Sequence, residues 1–147
     1  KKLREEMGVC YYVRVESENH SDHGKFVIAS GVDMARIELV LEVIAKELKK
    51  IKKELVLPGE FTKAKEYLLG NTLMGLESSD EVAEYFGGQE ILHQPLLTPQ
   101  QYLKKIRKVT PAQVRTVAKK LFKNNKANLA IVGPFKNPTR FKKPIRL

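Results

Sequence analysis

Residues 9–16, Val9-Cys10-Tyr11-Tyr12-Val13-Arg14-Val15-Glu16, set apolar and polar side chains on alternate sides, and a second β-rich run, residues 25–31, follows after a short polar stretch. Alternation with period two marks a half-buried strand, and so short a connection allows only antiparallel pairing. From Asp33 to Phe122 the pattern is helical. Ile37, Val40, Leu41, Ile44, Leu48 and Ile51 recur at helical spacing behind Asp33, an N-cap residue. A hairpin followed by helices is not the alternating order of a parallel α/β sheet, and no glycine-rich phosphate loop follows either strand. The expected class is therefore α+β, an antiparallel sheet with helices packed on one face.

Pro58-Gly59 opens a second helix, marked by Phe61, Ala64, Leu68, Leu69, Leu73 and Leu76. Gly70 and Gly75 inside it point to close helix packing or a bend. A third helix begins near Asp80 and either stops at Gly87-Gly88 or runs on to Leu92. Thr98-Pro99-Gln100-Gln101 and Thr110-Pro111-Ala112-Gln113 repeat one device: a Thr N-cap, Pro at the first helical position and Gln closing a capping box. The spacing predicts a final strand over residues 127–134, halted by Pro134. We expect one domain over residues 1–134 and a basic C-terminal extension over residues 135–147.

Composition narrows the function. A chain of 147 residues can bury a core without staples, and its one cysteine, Cys10, excludes a disulfide scaffold. Its longest apolar runs are too short to span a bilayer and no signal-type opening is present, so we expect a cytoplasmic protein without a membrane span. Residues 1–90 hold 13 bases and all 17 acids, whereas residues 91–147 hold 14 bases and no acid. Either the two halves neutralise each other on folding, or the basic half faces an acidic partner or nucleic acid. The back half lacks the aromatic platform of single-strand binders, which makes nucleic acid the weakest of these readings.

Few residues are arranged for chemistry. His20, Asp22 and His23, with Glu18 nearby, form the only cluster of metal-ligand types, and a polar hairpin tip accounts for them more simply. His93 lies at a helix end before Pro95 and reads as a capping or surface residue. No serine sits in a nucleophile elbow, and Cys10 has no base beside it.

The order of the motifs is informative. Leu3-Arg4-Glu5-Glu6-Met7-Gly8-Val9-Cys10-Tyr11-Tyr12-Val13 leads into the hairpin, and Gly59-Glu60-Phe61-Thr62-Lys63-Ala64-Lys65, Leu76-Glu77-Ser78-Ser79, Val109-Thr110-Pro111-Ala112-Gln113-Val114 and Leu129-Ala130-Ile131-Val132-Gly133 follow. Together they resemble the C-terminal domain of M16 zinc metallopeptidases, the pitrilysin and mitochondrial-processing-peptidase family. The likeness covers about residues 3–134.

The resemblance implies an endopeptidase built of two clamshell halves around a closed chamber. Zinc is held in such enzymes by a His-x-x-Glu-His motif, which this chain lacks, so zinc is expected in the complete enzyme and not on this chain. The family pattern also has an upstream strand and helix, so the chain reads as a piece of a longer polypeptide. Its implied partners are a peptide substrate and a catalytic N-terminal domain or partner subunit, in a homodimer or heterodimer. By position, the family's substrate-holding Arg and Tyr fall on Arg4 and Tyr11, whose guanidinium and phenol would hydrogen-bond peptide carbonyls. Strict alternation instead places Tyr11 with Val9 and Val13 on the core side and Tyr12 with Arg14 on the polar side; a bulge near the strand start would reconcile the two. The other implied reading is a catalytically inactive structural subunit of the same fold. A basic patch lining such a chamber would favour acidic or neutral peptides.

Overall fold

Gly8, at φ +58°, turns the chain into β1 (Cys10–Asn19), which pairs with β2 (Gly24–Val32) in a two-stranded antiparallel sheet. The computed structural model describes Leu3 and residues 7–141. Three contacts fix the register. At the tip the His20 N–H donates to the His23 carbonyl at 2.9 Å. Next to it Lys25 pairs with Glu18 at 2.8 Å. Further along, the Tyr12 ring lies over Gly31 so closely that a Cβ there would come within 2.5 Å of it. Tyr11 therefore stands opposite Val32 and Val15 opposite Ile28, with Val13 on the same face.

The described residues divide into two compact units, the first made of residues 1–18, 25–55 and 114–147. Asp33 accepts from the Ala35 N–H at 2.9 Å and caps a 3-10 turn, Met34–Arg36, that runs straight into α1 (Ile37–Lys53). Lys50, Lys52 and Lys53 in its last turn complement the helix dipole. Val40 of α1 is buried with Leu3 and Val9, and Val43, Ile44, Val13, Val32 and Cys10 pack around them. Burying a side chain of this size stabilises by about 1.5–3 kcal/mol, so this small cluster fastens the helix to the sheet. After α5 (Pro111–Leu121), Phe122 meets Phe26 of β2 edge to face at 5.1 Å. The chain then returns to the start of α1. Arg140 pairs with Glu38 at 2.7 Å, and buried Phe141 sits edge to face with Phe135.

One sequence expectation fails in this unit. Residues 127–132 do not form the predicted strand: they make no ladder, and Val132 is fully exposed. The segment has the β-branched composition of a strand, but a strand exists only where a neighbour offers matching N–H and C=O groups, and the described sheet does not reach it.

The second unit comprises residues 19–24 and 56–113. α2 (Pro58–Met74) starts with Pro at its first turn and packs on α4 (Pro99–Lys108). Its covered stripe differs from the one the apolar pattern marks. Leu69 is buried and Phe61, Lys65, Thr72 and Leu76 are half-buried, whereas Leu68 and Leu73 are exposed. Gly70 is not a site of close packing, since a Cβ there would meet nothing within 4 Å; Gly75 is simply the residue at which the helix stops.

α3 (Ser79–Ile91) continues through Gly87 and Gly88, and its start is fixed by Ser78 and Glu81 in a capping box that reading from Asp80 overlooks. Its end is a Schellman-type turn. His93 takes φ +50°, its N–H donates to Glu90 O, and the Gln94 N–H donates to Gln89 O, both at 2.9 Å. The Gln89 side chain then ties down the connection to α4: its amide donates to the carbonyls of Tyr85 and Leu97 and its oxygen accepts from the Leu97 N–H at 2.7 Å. Tyr85 packs edge to face on Phe86 and Tyr102, with its buried hydroxyl unpartnered among the described residues. Desolvation pushes that phenol up from its ordinary value. Both Thr-Pro boxes form as expected: Thr98 with Gln101 opens α4, and Thr110 with Gln113 opens α5.

Candidate functional site

Of the two residues singled out as substrate holders, Arg4 lies outside the described residues. Tyr11, the second residue of β1, is 78% exposed and its phenol makes no hydrogen bond among the described residues. Alternation had placed Tyr11 on the covered side. It does share a sheet face with Val13 and, across the ladder, Val32, both packed on the α1 cluster, yet the cover stops short of it. The asymmetry runs along the whole hairpin. β2 is half-buried from Val27 to Val32, whereas most of β1, including Tyr11, Tyr12, Arg14, Val15 and Glu16, is exposed. No bulge is needed to free the phenol, because the cover on this face of the hairpin stops short of Tyr11.

Tyr12 has a structural task on the opposite face. Its ring occupies the space above Gly31, and its carbonyl accepts from the Ser30 hydroxyl at 2.8 Å. Glycine opposite an aromatic side chain was the signal in the sequence for this contact. Arg14 is paired with Glu16 at 3.2 Å. Cys10 is half-buried at the edge of the α1 cluster.

The hairpin tip does not assemble into a metal centre. The rings of His20 and His23 stack with centroids 4.5 Å apart and planes 19° apart, and His23 Nδ1 is engaged with Asp22 Oδ1 at 2.6 Å. Two rings stacked in this way do not aim their nitrogens at one ion, and a tetrahedral zinc needs converging ligands. Among the described residues no three His, Cys, Asp or Glu side chains are grouped to hold a metal. The described residues do not fit zinc.

Part of the basic back half is presented outward: Arg140 is paired with Glu38 and Arg115 is half-buried, but α4 is not neutralised in this way. Lys104, Lys105, Arg107 and Lys108 are exposed on α4 and form no ion pair among the described residues, while Tyr102, Leu103 and Ile106 turn inward.

Comparison with known proteins resolves what this scaffold is. Residues 1–68 match the family model described as the peptidase M16 inactive domain. Over that stretch the chain is similar to the inactive-type domain of M16 peptidases. An uncharacterized zinc protease of Streptomyces coelicolor is 26% identical to it over 136 residues, covering 92% of this chain and 29% of that protein. An uncharacterized zinc protease of Bacillus subtilis is 25% identical, over 92% of this chain and 33% of its own length. The mitochondrial-processing peptidase subunit alpha-2 of Dictyostelium discoideum is 29% identical over 114 residues, 78% of this chain and 25% of that subunit. The chain thus spans a third or less of the length of these relatives. The crystal structure of a protease from Helicobacter pylori superposes with a TM-score of 0.74 at 21% identity, covering 85% of this chain and 30% of that one, so the fold is shared. The α+β class expected from the hairpin and the helical pattern is the one found.

Proposed function

We propose that this M16 domain is the non-catalytic, substrate-binding portion of a zinc-dependent endopeptidase that hydrolyses peptides in a closed chamber. The observation that carries the reading is Tyr11: a solvent-facing phenol near the start of β1, without a hydrogen bond among the described residues, in a stretch that matches the M16 inactive domain. A phenol in that position can donate to a carbonyl of an extended peptide and support the charge that develops there during hydrolysis. Arg4 belongs to the same proposal through its match to the family's substrate-holding arginine. Zinc resides on the catalytic half, fused or separate, since this chain has no His-x-x-Glu-His sequence. The names of relatives as zinc proteases, and of one as a subunit, support a peptide substrate and a catalytic domain or partner subunit, in a homodimer or heterodimer. The proposed location is the cytoplasm. The exposed cations of α4 support a preference for acidic or neutral peptides.

Replacing Tyr11 by Phe in the complete protease removes the donor and little else. The expected result is a fall in kcat/KM of about a hundredfold or more with unchanged folding. Turnover equal to the unsubstituted enzyme would end the claim and leave a structural subunit of the same fold as the better reading.

A further inference from the structure

Tyr11 sits at the open end of the hairpin, where the ladder stops: it is the second residue of β1 and stands opposite Val32, the last residue of β2. The end of a ladder frays unless something beyond it joins the two strands. Here the join is Arg36. Its guanidinium, carried on the 3-10 turn that follows β2, reaches back 28 residues and donates from Nη1 to the Gly8 carbonyl at 3.3 Å, just ahead of β1. The turn that carries it is itself fixed, because the Arg36 N–H donates to the Asp33 carbonyl and the Ala35 N–H to the Asp33 side chain, both at 2.9 Å.

The placement of Arg36 runs against local preference. A helix N-terminus favours carboxylates and disfavours cations, yet Arg36 is the residue immediately before α1 and its side chain makes no capping bond to that helix. Among the described residues the Gly8 carbonyl is the one hydrogen-bond acceptor its guanidinium meets. Gly8 in turn is the soft point of the approach to β1: nothing lies within 4 Å of where its Cβ would stand, and glycine has the widest choice of other conformations. The next residue is already held, since the Val9 N–H donates to the Leu3 carbonyl at 3.0 Å and both side chains are buried with Val40.

We infer that Arg36 is a positioning residue for the substrate contact: by holding Gly8 it closes the open end of the hairpin and fixes the direction in which the Tyr11 phenol is presented. This rests on the peptide-binding reading proposed above and adds to it a residue that acts through Tyr11. A donor aimed at developing charge works only while its orientation is kept, so loosening this end lowers kcat more than it raises KM.

The test uses the complete protease. Arg36→Met keeps the stem and removes the donors at an exposed position, and a urea midpoint checks that folding is retained. The expected result is a fall in kcat of about threefold to tenfold, the worth of one hydrogen bond, with KM within about twofold of the parent. Arg36→Lys still has a donor for Gly8 and should recover most of the loss. The deciding measurement is Arg36→Met made together with Tyr11→Phe. With the phenol hydroxyl gone there is nothing left to orient, and the added cost should be less than about twofold. Turnover of Arg36→Met equal to the parent, no recovery with lysine, or a loss that persists in full beside Tyr11→Phe overturns the inference. So does a loss that follows a lowered urea midpoint, since Arg36 would then only hold the fold. If Tyr11→Phe lowers turnover while Arg36→Met is without effect, the substrate reading survives and the positioning role falls; if Tyr11→Phe is itself without effect, the substrate reading falls and this inference with it.

Discussion

The Lys65 ammonium donates to the Arg107 carbonyl at 2.6 Å and, alongside it, to the Val109 carbonyl at 3.0 Å. A cation on the covered stripe of α2 thereby satisfies backbone acceptors at the C-terminal end of α4, where the helix dipole is negative. The same nitrogen lies over the Phe61 ring, 5.0 Å from its centroid. Lys65→Met keeps the stem and removes the donors. We expect a loss of about 1–2 kcal/mol in urea unfolding, and a smaller loss than Lys65→Ala, which also empties the packing. Equal stability of Lys65→Met and the parent chain would show that the contact contributes nothing.

Gly70 lies inside α2 with open space where a Cβ would stand. Gly70→Ala should therefore stabilise by about 0.5–1 kcal/mol through reduced backbone entropy of the unfolded chain. A raised thermal midpoint checks this. A lowered one would mean that something packs closely against this turn of the helix.

His93 holds φ +50° at the end of α3, a conformation that costs a residue with a Cβ about 1 kcal/mol. His93→Gly keeps both N–H bonds of the turn and removes that cost, so the expected outcome is a gain of about 0.5–1 kcal/mol at equilibrium unfolding. His93→Val, branched at Cβ, should move stability the other way.

Glu81 closes the capping box of α3. The Ser78 N–H, first, and the Ser78 hydroxyl, second, both at 3.0 Å, hold its carboxyl below the ordinary value of 4.5. A depressed folded-state pKa stabilises above the unfolded-state value, and that contribution disappears as pH falls through the folded one. Glu81→Gln keeps a hydrogen-bonding group without the charge. Its stability difference from the parent should be present at neutral pH and shrink as acidification protonates the folded-state carboxylate, as read from denaturation midpoints. A difference independent of pH would assign the effect to something other than the carboxylate.

The local signals in the sequence were reliable because their partners are only a few residues away. Thr98 with Gln101, Thr110 with Gln113 and Asp33 with Ala35 are capped by neighbours, so helix starts could be read without knowing what the helices touch. The hairpin follows from alternation and a short polar tip for the same reason, and the series of motifs from Leu3 to Gly133 sufficed to recognise the M16 family.

Tertiary structure decided what depends on groups distant along the chain. Residues 127–132 have strand composition and no ladder, because a strand requires a neighbour that composition cannot supply. Lys65 lies on the covered side of α2, where its ammonium meets the carbonyls at the end of α4. The exposure of Tyr11 also lay outside the reach of alternation. Period two assigns a side chain to a face, but only the placement of α1 determines how much of that face is covered.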